Sequence, residues 1–134
     1  MIPESILVDS NVFMDYMKRG RDPIRELLTQ AAQFDSTDLV TCGVVKAEAL
    51  RGIKSLKVRT QFEGFFSGMR FAHTHATTWD DVWKLAWKLD RKGQSLPLTD
   101  LVIAACALKE ESWILTSDRH FDDIEGVKMI RPEF

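Results

Sequence analysis

Short apolar runs alternate with helix-patterned segments along the whole chain, and that alternation limits the fold before any residue is given a role. Ser5–Val8 reads as a buried strand, followed by a short helix over Asn11–Met17 that ends before Gly20. Asp22-Pro23 opens a second helix, with Pro in its first turn and Ile24, Leu27, Leu28 and Ala31 as its apolar stripe. Leu39–Cys42 is a short strand and Val44–Leu50 a helix stopped by Gly52. Ser55–Phe66 forms another helix ending near Gly68, and Arg70–His75 is a strand. Thr78 caps a helix running to about Arg91, with Val82, Leu85, Ala86 and Leu89 on one face. Leu98–Lys109 is a strongly apolar helix, and Trp113–Thr116 and Val127–Ile130 are the last strands.

Strands joined through helices of this length imply an α/β protein whose central sheet, of about five strands, is mostly parallel and covered on both faces. At 134 residues the chain fits one domain, 1–134, with no repeat or Pro/Gly-rich linker to divide it. Its longest apolar stretch is far too short for a membrane span, and the start Met1-Ile2-Pro3-Glu4-Ser5 lacks the features of a signal peptide. Cys42 and Cys106 sit in apolar segments without CxxC spacing, so buried free thiols and a cytoplasmic location are expected.

Four acids stand out because of where they fall. Asp9 closes the run Ile6-Leu7-Val8, and Asp118 follows Trp113–Ser117. Glu48 and Asp100 lie inside segments that otherwise read as buried helix. Carboxylates in such surroundings need a cation or hydrogen-bond partners, and a shared divalent metal is the most economical provision. In parallel sheets ligands gather beyond the carboxyl ends of the strands, where Asp9 and Asp118 belong. Each acid also has a plainer reading. Asp9 would cap the following helix, Asp100 would face its own helix dipole, Asp118 would be a turn residue, and Glu48 would pair with Arg51 or Lys46.

The net charge of −2 argues against a polyanion-binding surface. Removing the four carboxylates of a metal-loaded pocket leaves +2, and basic groups cluster at Lys18-Arg19-Gly20-Arg21, at Arg51, Lys54, Lys57 and Arg59, and at Arg91-Lys92. Such clusters equally describe solvated helix faces.

The segment Leu7–Asp15 resembles the opening motif of PIN domains (PilT N-terminus nucleases), and Thr41–Gly52 is similar to their second motif, with Glu48 as its acid. Leu98–Leu108 resembles the third, with Asp100 ahead of an alanine-rich helix, and Ile114–Ile124 the fourth, with Asp118. The four motifs occur in the family's order across essentially the whole chain. Cys42-Gly43 and Ala49-Leu50 depart from the hydroxyl and aromatic residues common around the second acid, which bears on packing at Glu48. The compact length further resembles VapC-type toxins of toxin–antitoxin pairs.

The resemblance implies a PIN-like three-layer α/β/α sandwich and a metal-dependent endoribonuclease acting as the toxin of a type II pair. Asp9, Glu48, Asp100 and Asp118 would be its catalytic residues. Asp9, Asp100 and Asp118 would hold Mg²⁺ or Mn²⁺, hard cations that take carboxylate oxygens, while Glu48 would bind a second metal or orient the attacking water. Asn11, Ser117 and Thr99 would support the carboxylates or their waters. Products with 5′-phosphate and 3′-hydroxyl ends, an RNA substrate, a cognate antitoxin, and a homodimer or toxin–antitoxin hetero-oligomer follow from the same resemblance. The alternatives are a PIN nuclease of RNA processing without an antitoxin, or a non-catalytic PIN-like module binding RNA or protein. A phospho-aspartate enzyme is disfavoured, because Asp9-Ser10-Asn11 has no second aspartate two positions on.

Three further features are read conservatively. His73 and His75 would share one face of a strand, but no third zinc ligand is evident. His120 is a phosphate contact or a loop residue. Trp79, Trp83 and Trp87 recur at helical spacing, with core packing as the default and a dimer or partner contact as the second option; Phe62, Phe65, Phe66 and Met69 invite the same two readings.

Overall fold

Five parallel strands in the order β3-β2-β1-β4-β5 carry the fold. They are β1 (Ser5–Val8), β2 (Asp38–Cys42), β3 (Arg70–Ala72), β4 (Trp113–Leu115) and β5 (Met129–Ile130). The computed structural model describes residues 3–34 and 37–134. Met1 and Ile2, part of the N-terminal stretch read for a signal peptide, lie outside the described residues. Helices α1 (Ser10–Lys18) and α2 (Pro23–Ala31) connect β1 to β2, and α3 (Gly43–Arg51) and α4 (Leu56–Ser67) connect β2 to β3. Helices α5 (Ala76–Arg91) and α6 (Leu98–Glu110) return the chain across the sheet to β4. Strand order therefore reverses between β1 and β4, and the right-handed habit of parallel crossovers sends the two helix groups to opposite faces. No helix among the described residues is long and apolar enough to cross a membrane.

The sequence periodicities account for most of this. Ile6, Leu7 and Val8 are all buried, as a central parallel strand requires, and Val40, Ile114 and Leu115 continue that layer. Phe13 packs its ring 5.7 Å from Phe62 and 5.3 Å from Phe66, so those aromatics belong to the core. Helix α1 ends as its sequence suggests: Gly20 adopts φ +71° while the N–H groups of Gly20 and Arg21 return to the carbonyls of Met17 and Tyr16. Gly52 does not terminate α3 through a left-handed conformation, since its φ is −84°. A Cβ there would come within 3.1 Å of Met14 Cε, so α1 passes close to this position. Cys42 and Cys106 are buried free thiols.

Several expectations need correction. Strand β3 stops at Ala72, so His73 and His75 do not lie on a strand; their rings are 6.0 Å apart, and no third metal-ligating side chain joins them among the described residues. Helix α5 begins at Ala76 with His75 as cap, and Thr78 sits inside the first turn, where its Oγ1 accepts the His75 N–H at 3.1 Å. In α2 the inward positions are Pro23, Leu27 and Gln30, while Leu28 is exposed. Gln30 takes that inward place because its Oε1 accepts the buried Tyr16 hydroxyl at 3.2 Å. Trp79, Trp83 and Trp87 are 47%, 56% and 56% exposed, so the core reading fails for all three. The buried stripe of α5 is already complete with Thr78, Val82 and Leu89.

Candidate metal centre

The site is assembled where adjacent strands β1 and β4 end together. Val8 pairs with Leu115, and the Asp9 N–H extends the ladder by donating to the Leu115 carbonyl at 2.9 Å. Asp9 is thereby held at the carboxyl edge of the sheet with only 4% of its surface exposed. It occupies the cap position of α1 but makes no side-chain capping bond, so helix capping does not account for it. Its Oδ2 instead accepts the Thr116 hydroxyl at 2.8 Å.

Thr116, the residue after β4, is the hub of the arrangement. Besides donating to Asp9, its Oγ1 accepts Asn11 Nδ2 at 3.4 Å and the Asp118 N–H at 3.0 Å. One hydroxyl has one proton and two lone pairs, so its capacity is filled. The end of β1, the first turn of α1 and the loop after β4 are thus joined through a single atom.

Asp100 enters from the first turn of α6 and Asp118 from the loop after β4. The imidazole of His120 lies between them, with Nδ1 2.6 Å from Asp100 Oδ2 and 3.1 Å from Asp118 Oδ2. Asp118 Oδ1 also accepts the His120 N–H at 2.9 Å, so its turn-forming reading holds alongside its place in the cluster. Ligand atoms of Asp100, Asp118 and His120 lie within 4.8 Å of one another, the one such group among the described residues. Glu48, on α3, is tethered beside this edge by Ser10, whose Oγ donates to Glu48 Oε1 at 3.1 Å. Neither Arg51 nor Lys46 forms an ion pair with it among the described residues.

Electrostatics follow from this crowding. Burial pushes the Asp9 carboxyl up to about 6, the Thr116 hydrogen bond partly opposes that, and the charges of Asp100 and Asp118 add to it. The hydrogen bond to Asp100 raises the His120 pKa above its ordinary value, with the charge of Asp118 assisting against a smaller desolvation effect. The His120 imidazole stands where the two carboxylates converge, and their proximity favours its protonated form.

The supporting residues divide. Asn11 reaches Thr116, and its Oδ1 is buried without a hydrogen-bond partner, an open acceptor beside the acids. Ser117 donates to Asp15 Oδ2 at 2.6 Å rather than to any of the four acids. The Thr99 side chain is exposed and makes no hydrogen bond among the described residues. Arg131, just past β5, was not anticipated: its Nη1 donates to the carbonyls of Thr116 at 3.1 Å and Asp118 at 2.6 Å, and its Nη2 pairs with Asp122 at 2.7 Å. No local pattern marks Arg131, whereas Thr116 could have been suspected as a hydroxyl residue two positions before an acid at a strand end.

Hard oxygen donors, one of them buried with a raised pKa, together with an unpartnered Asn11 carbonyl, suit a divalent cation with bound water. A reversal of strand order with acids at its mouth is where α/β proteins place their ligands. The chain belongs to the PIN-domain family, whose sequence profile matches residues 6–127.

Solved structures agree on the fold. The chain is similar to VapBC2 from Rickettsia felis, bound to a fragment of promoter DNA, at TM-score 0.77 and 18% identity, covering 96% of this chain and 99% of that one. It is similar to DNA-bound VapBC from Salmonella typhimurium at TM-score 0.75 and 21% identity, covering 98% of both chains. Mycobacterium tuberculosis VapC20, a sarcin–ricin loop cleaving toxin, aligns at TM-score 0.63 and 14% identity over 92% of this chain and 98% of its own. No curated protein sequence matches the chain.

Proposed function

We propose that this protein is a metal-dependent endoribonuclease and the toxin of a type II toxin–antitoxin pair. The observation that carries the reading is the convergence of Asp9, Asp100 and Asp118, drawn from two strand ends and a helix N-terminus, in a chain of the PIN-domain family. Asp9, Asp100 and Asp118 would hold Mg²⁺ or Mn²⁺, which supplies Lewis acidity toward a phosphodiester oxygen and a lowered pKa for bound water. Glu48, held by Ser10, orients the attacking water or contributes to a second cation site. Asn11 offers its free Oδ1 to a water at the rim, and Thr116 keeps Asp9 ionisable yet aimed. Were Asp100 and Asp118 to hold a cation, the His120 imidazole that now contacts both would be available to approach phosphate. All four acids of the family motifs are present, which disfavours a non-catalytic module.

The neighbours supply the biological context: two were solved as VapBC assemblies and one is described as cleaving the sarcin–ricin loop. By this reading an antitoxin partner, an RNA substrate and a cytoplasmic site of action are expected here.

Purified protein incubated with a structured RNA and Mg²⁺ or Mn²⁺ should give fragments with 5′-phosphate ends. Chelation with EDTA should stop cleavage, and re-addition of the metal should restore it. Cleavage that persists unchanged in excess EDTA would overturn the metal-nuclease reading.

Arg131→Met should leave the fold intact, because the side chain is largely exposed, but free the loop that presents Asp118. Loss of such outer support typically weakens metal affinity or activity by about 10–100-fold. Isothermal titration with Mn²⁺, alongside far-UV circular dichroism, measures both parts.

A further inference from the structure

At the end of β3 and in the link to α5, three aromatic rings stand in the open that neither the core nor the acids use. Phe71 is 38% exposed, and His73 and His75 are exposed as well. The ring centroids of Phe71 and His73 are 4.8 Å apart and those of His73 and His75 6.0 Å, so the rings form one continuous row. Its far end is fixed, because His75 caps α5 and its N–H donates to Thr78 Oγ1. No third metal-ligating side chain joins the two imidazoles among the described residues, so the pair offers no closed metal site.

The row lies on the same edge of the sheet as the acids. Ala72 is in register with Cys42, and the ladders of β2 with β1 and of β1 with β4 carry that level on to Asp9 and Thr116. Two strand spacings of about 4.8 Å put the row roughly 10 Å from Asp9, about three stacked nucleotides at about 3.4 Å each and fewer in an extended strand. Gly43, the first residue of α3, is exposed, and a Cβ on it would touch only the Phe71 ring, at 3.9 Å. No side chain at that position walls the row off from the end of β2. Residues 70–79 carry no acid, and the one charged side chain of residues 43–47 is Lys46.

Exposed rings in series beside acid-free backbone suit an unpaired nucleic-acid strand. Every base has a flat π face that stacks on an aromatic ring, whereas the bases of a duplex already stack on one another and hide those faces. Imidazoles add ring nitrogens that hydrogen-bond to phosphate or base edges, which a phenyl ring lacks. We propose that Phe71, His73 and His75 are a stacking subsite for unpaired bases of an RNA strand whose scissile phosphate lies at Asp9, Asp100 and Asp118. The subsite rests on the nuclease reading and adds a preference to it: single-stranded segments and loops are taken, and continuous duplex is rejected.

Fluorescence anisotropy of a labelled single-stranded oligoribonucleotide with the full chain, in EDTA so that no cleavage occurs, tests it. The wild type should bind the free strand at least about 10-fold tighter than the same strand annealed to its complement. Phe71→Ala and His73→Ala should each weaken binding of the free strand by about 5-fold or more, the lower end for loss of one base–aromatic stack, with circular dichroism and Mn²⁺ affinity unchanged. Phe71→Tyr and His73→Phe keep a ring and should restore binding, whereas His73→Gln keeps polar atoms alone and should not. With Mn²⁺ present, the alanine variants should raise KM and leave kcat near that of the wild type. Equal affinity for free and annealed strand, or alanine variants that bind as the wild type does, would overturn the subsite and leave the nuclease reading standing. Variants that change self-association but not RNA binding would mark the row as a protein contact and overturn it likewise. A wild type that binds the free strand through these rings yet cleaves nothing with Mn²⁺ would sink the nuclease reading and leave the subsite in place.

Discussion

Asp9→Asn is expected to abolish RNA cleavage while making the metal-free protein more stable at neutral pH. The Asp9 carboxyl is buried, and its pKa rises from 3.8 to about 6, mainly through burial and then through Asp100 and Asp118. A carboxyl whose pKa is higher in the folded state binds its proton more tightly there than in the unfolded chain. Its favourable contribution is full below about pH 4, is lost as the pH climbs through about 6, and leaves a penalty on the order of 2–3 kcal/mol at pH 7.5. Asparagine keeps the shape, still accepts the Thr116 hydroxyl, and carries no charge. In EDTA, the variant should therefore melt several degrees above the wild type at pH 7.5, and the gap should close as the pH falls toward 4. With Mg²⁺ the order should narrow or reverse, because only the wild type is stabilised by the bound cation. Cleavage should fall by more than about 100-fold, since under the proposed function Asp9 is a direct ligand and matters at least as much as the outer support that costs up to that factor. Thermal melts across pH with and without metal, paired with an RNA cleavage assay, give every part of this result. A variant that melts with the wild type at all pH values would contradict the buried-charge account of Asp9.

Asp100→Asn should remove metal-dependent cleavage too, with a separate signature at His120. Asp100 is the largest cause of the raised His120 pKa, through the 2.6 Å contact at Nδ1. Without that carboxylate the imidazole should titrate lower, nearer its ordinary value, as followed by NMR of the ring protons. Asp118→Asn should move it less, since Asp118 acts on the ring mainly through its charge. The sign for metal binding follows from the same contacts. The imidazolium contributes its charge at Asp100 and Asp118 only below its folded pKa, so protons and metal compete for the two carboxylates and Mn²⁺ affinity should weaken on the acid side. In Asp100→Asn, metal should no longer raise the melting temperature appreciably. Retention of wild-type cleavage in this variant would exclude the assigned role of Asp100.

Local reading hints only faintly at Thr116 and not at all at Arg131. Asp9, Glu48, Asp100 and Asp118 are legible in sequence because each interrupts an apolar run; Asp9 proves buried and the other three half-buried, and drawing a charge out of water is costly enough that its position carries information. Thr116 interrupts nothing; a hydroxyl at the end of a strand is unremarked until β4 is placed beside β1 and its Oγ1 meets Asp9. Arg131 lies far along the chain from Asp9 and reaches the site only because β5 pairs with β4. Ser117 illustrates the opposite case: it adjoins Asp118 in sequence, yet its hydroxyl turns to Asp15.

The alternation of apolar runs and helical periodicities, by itself, determined the parallel α/β architecture, because a strand buried on both faces and a helix with one buried stripe leave different repeats in the residues. It also placed Asp9 and Asp118 at strand ends. The tertiary structure alone decided which strands are neighbours, and with that which side chains meet at the sheet's carboxyl edge. Pairing of β1 with β4 brings Asp9 to Thr116 and Asp118, while the return of α6 brings Asp100 to His120. It also decided that the indoles of α5 face outward. Helical spacing shows that Trp79, Trp83 and Trp87 share a side, but which side is buried depends on what the rest of the chain packs against it.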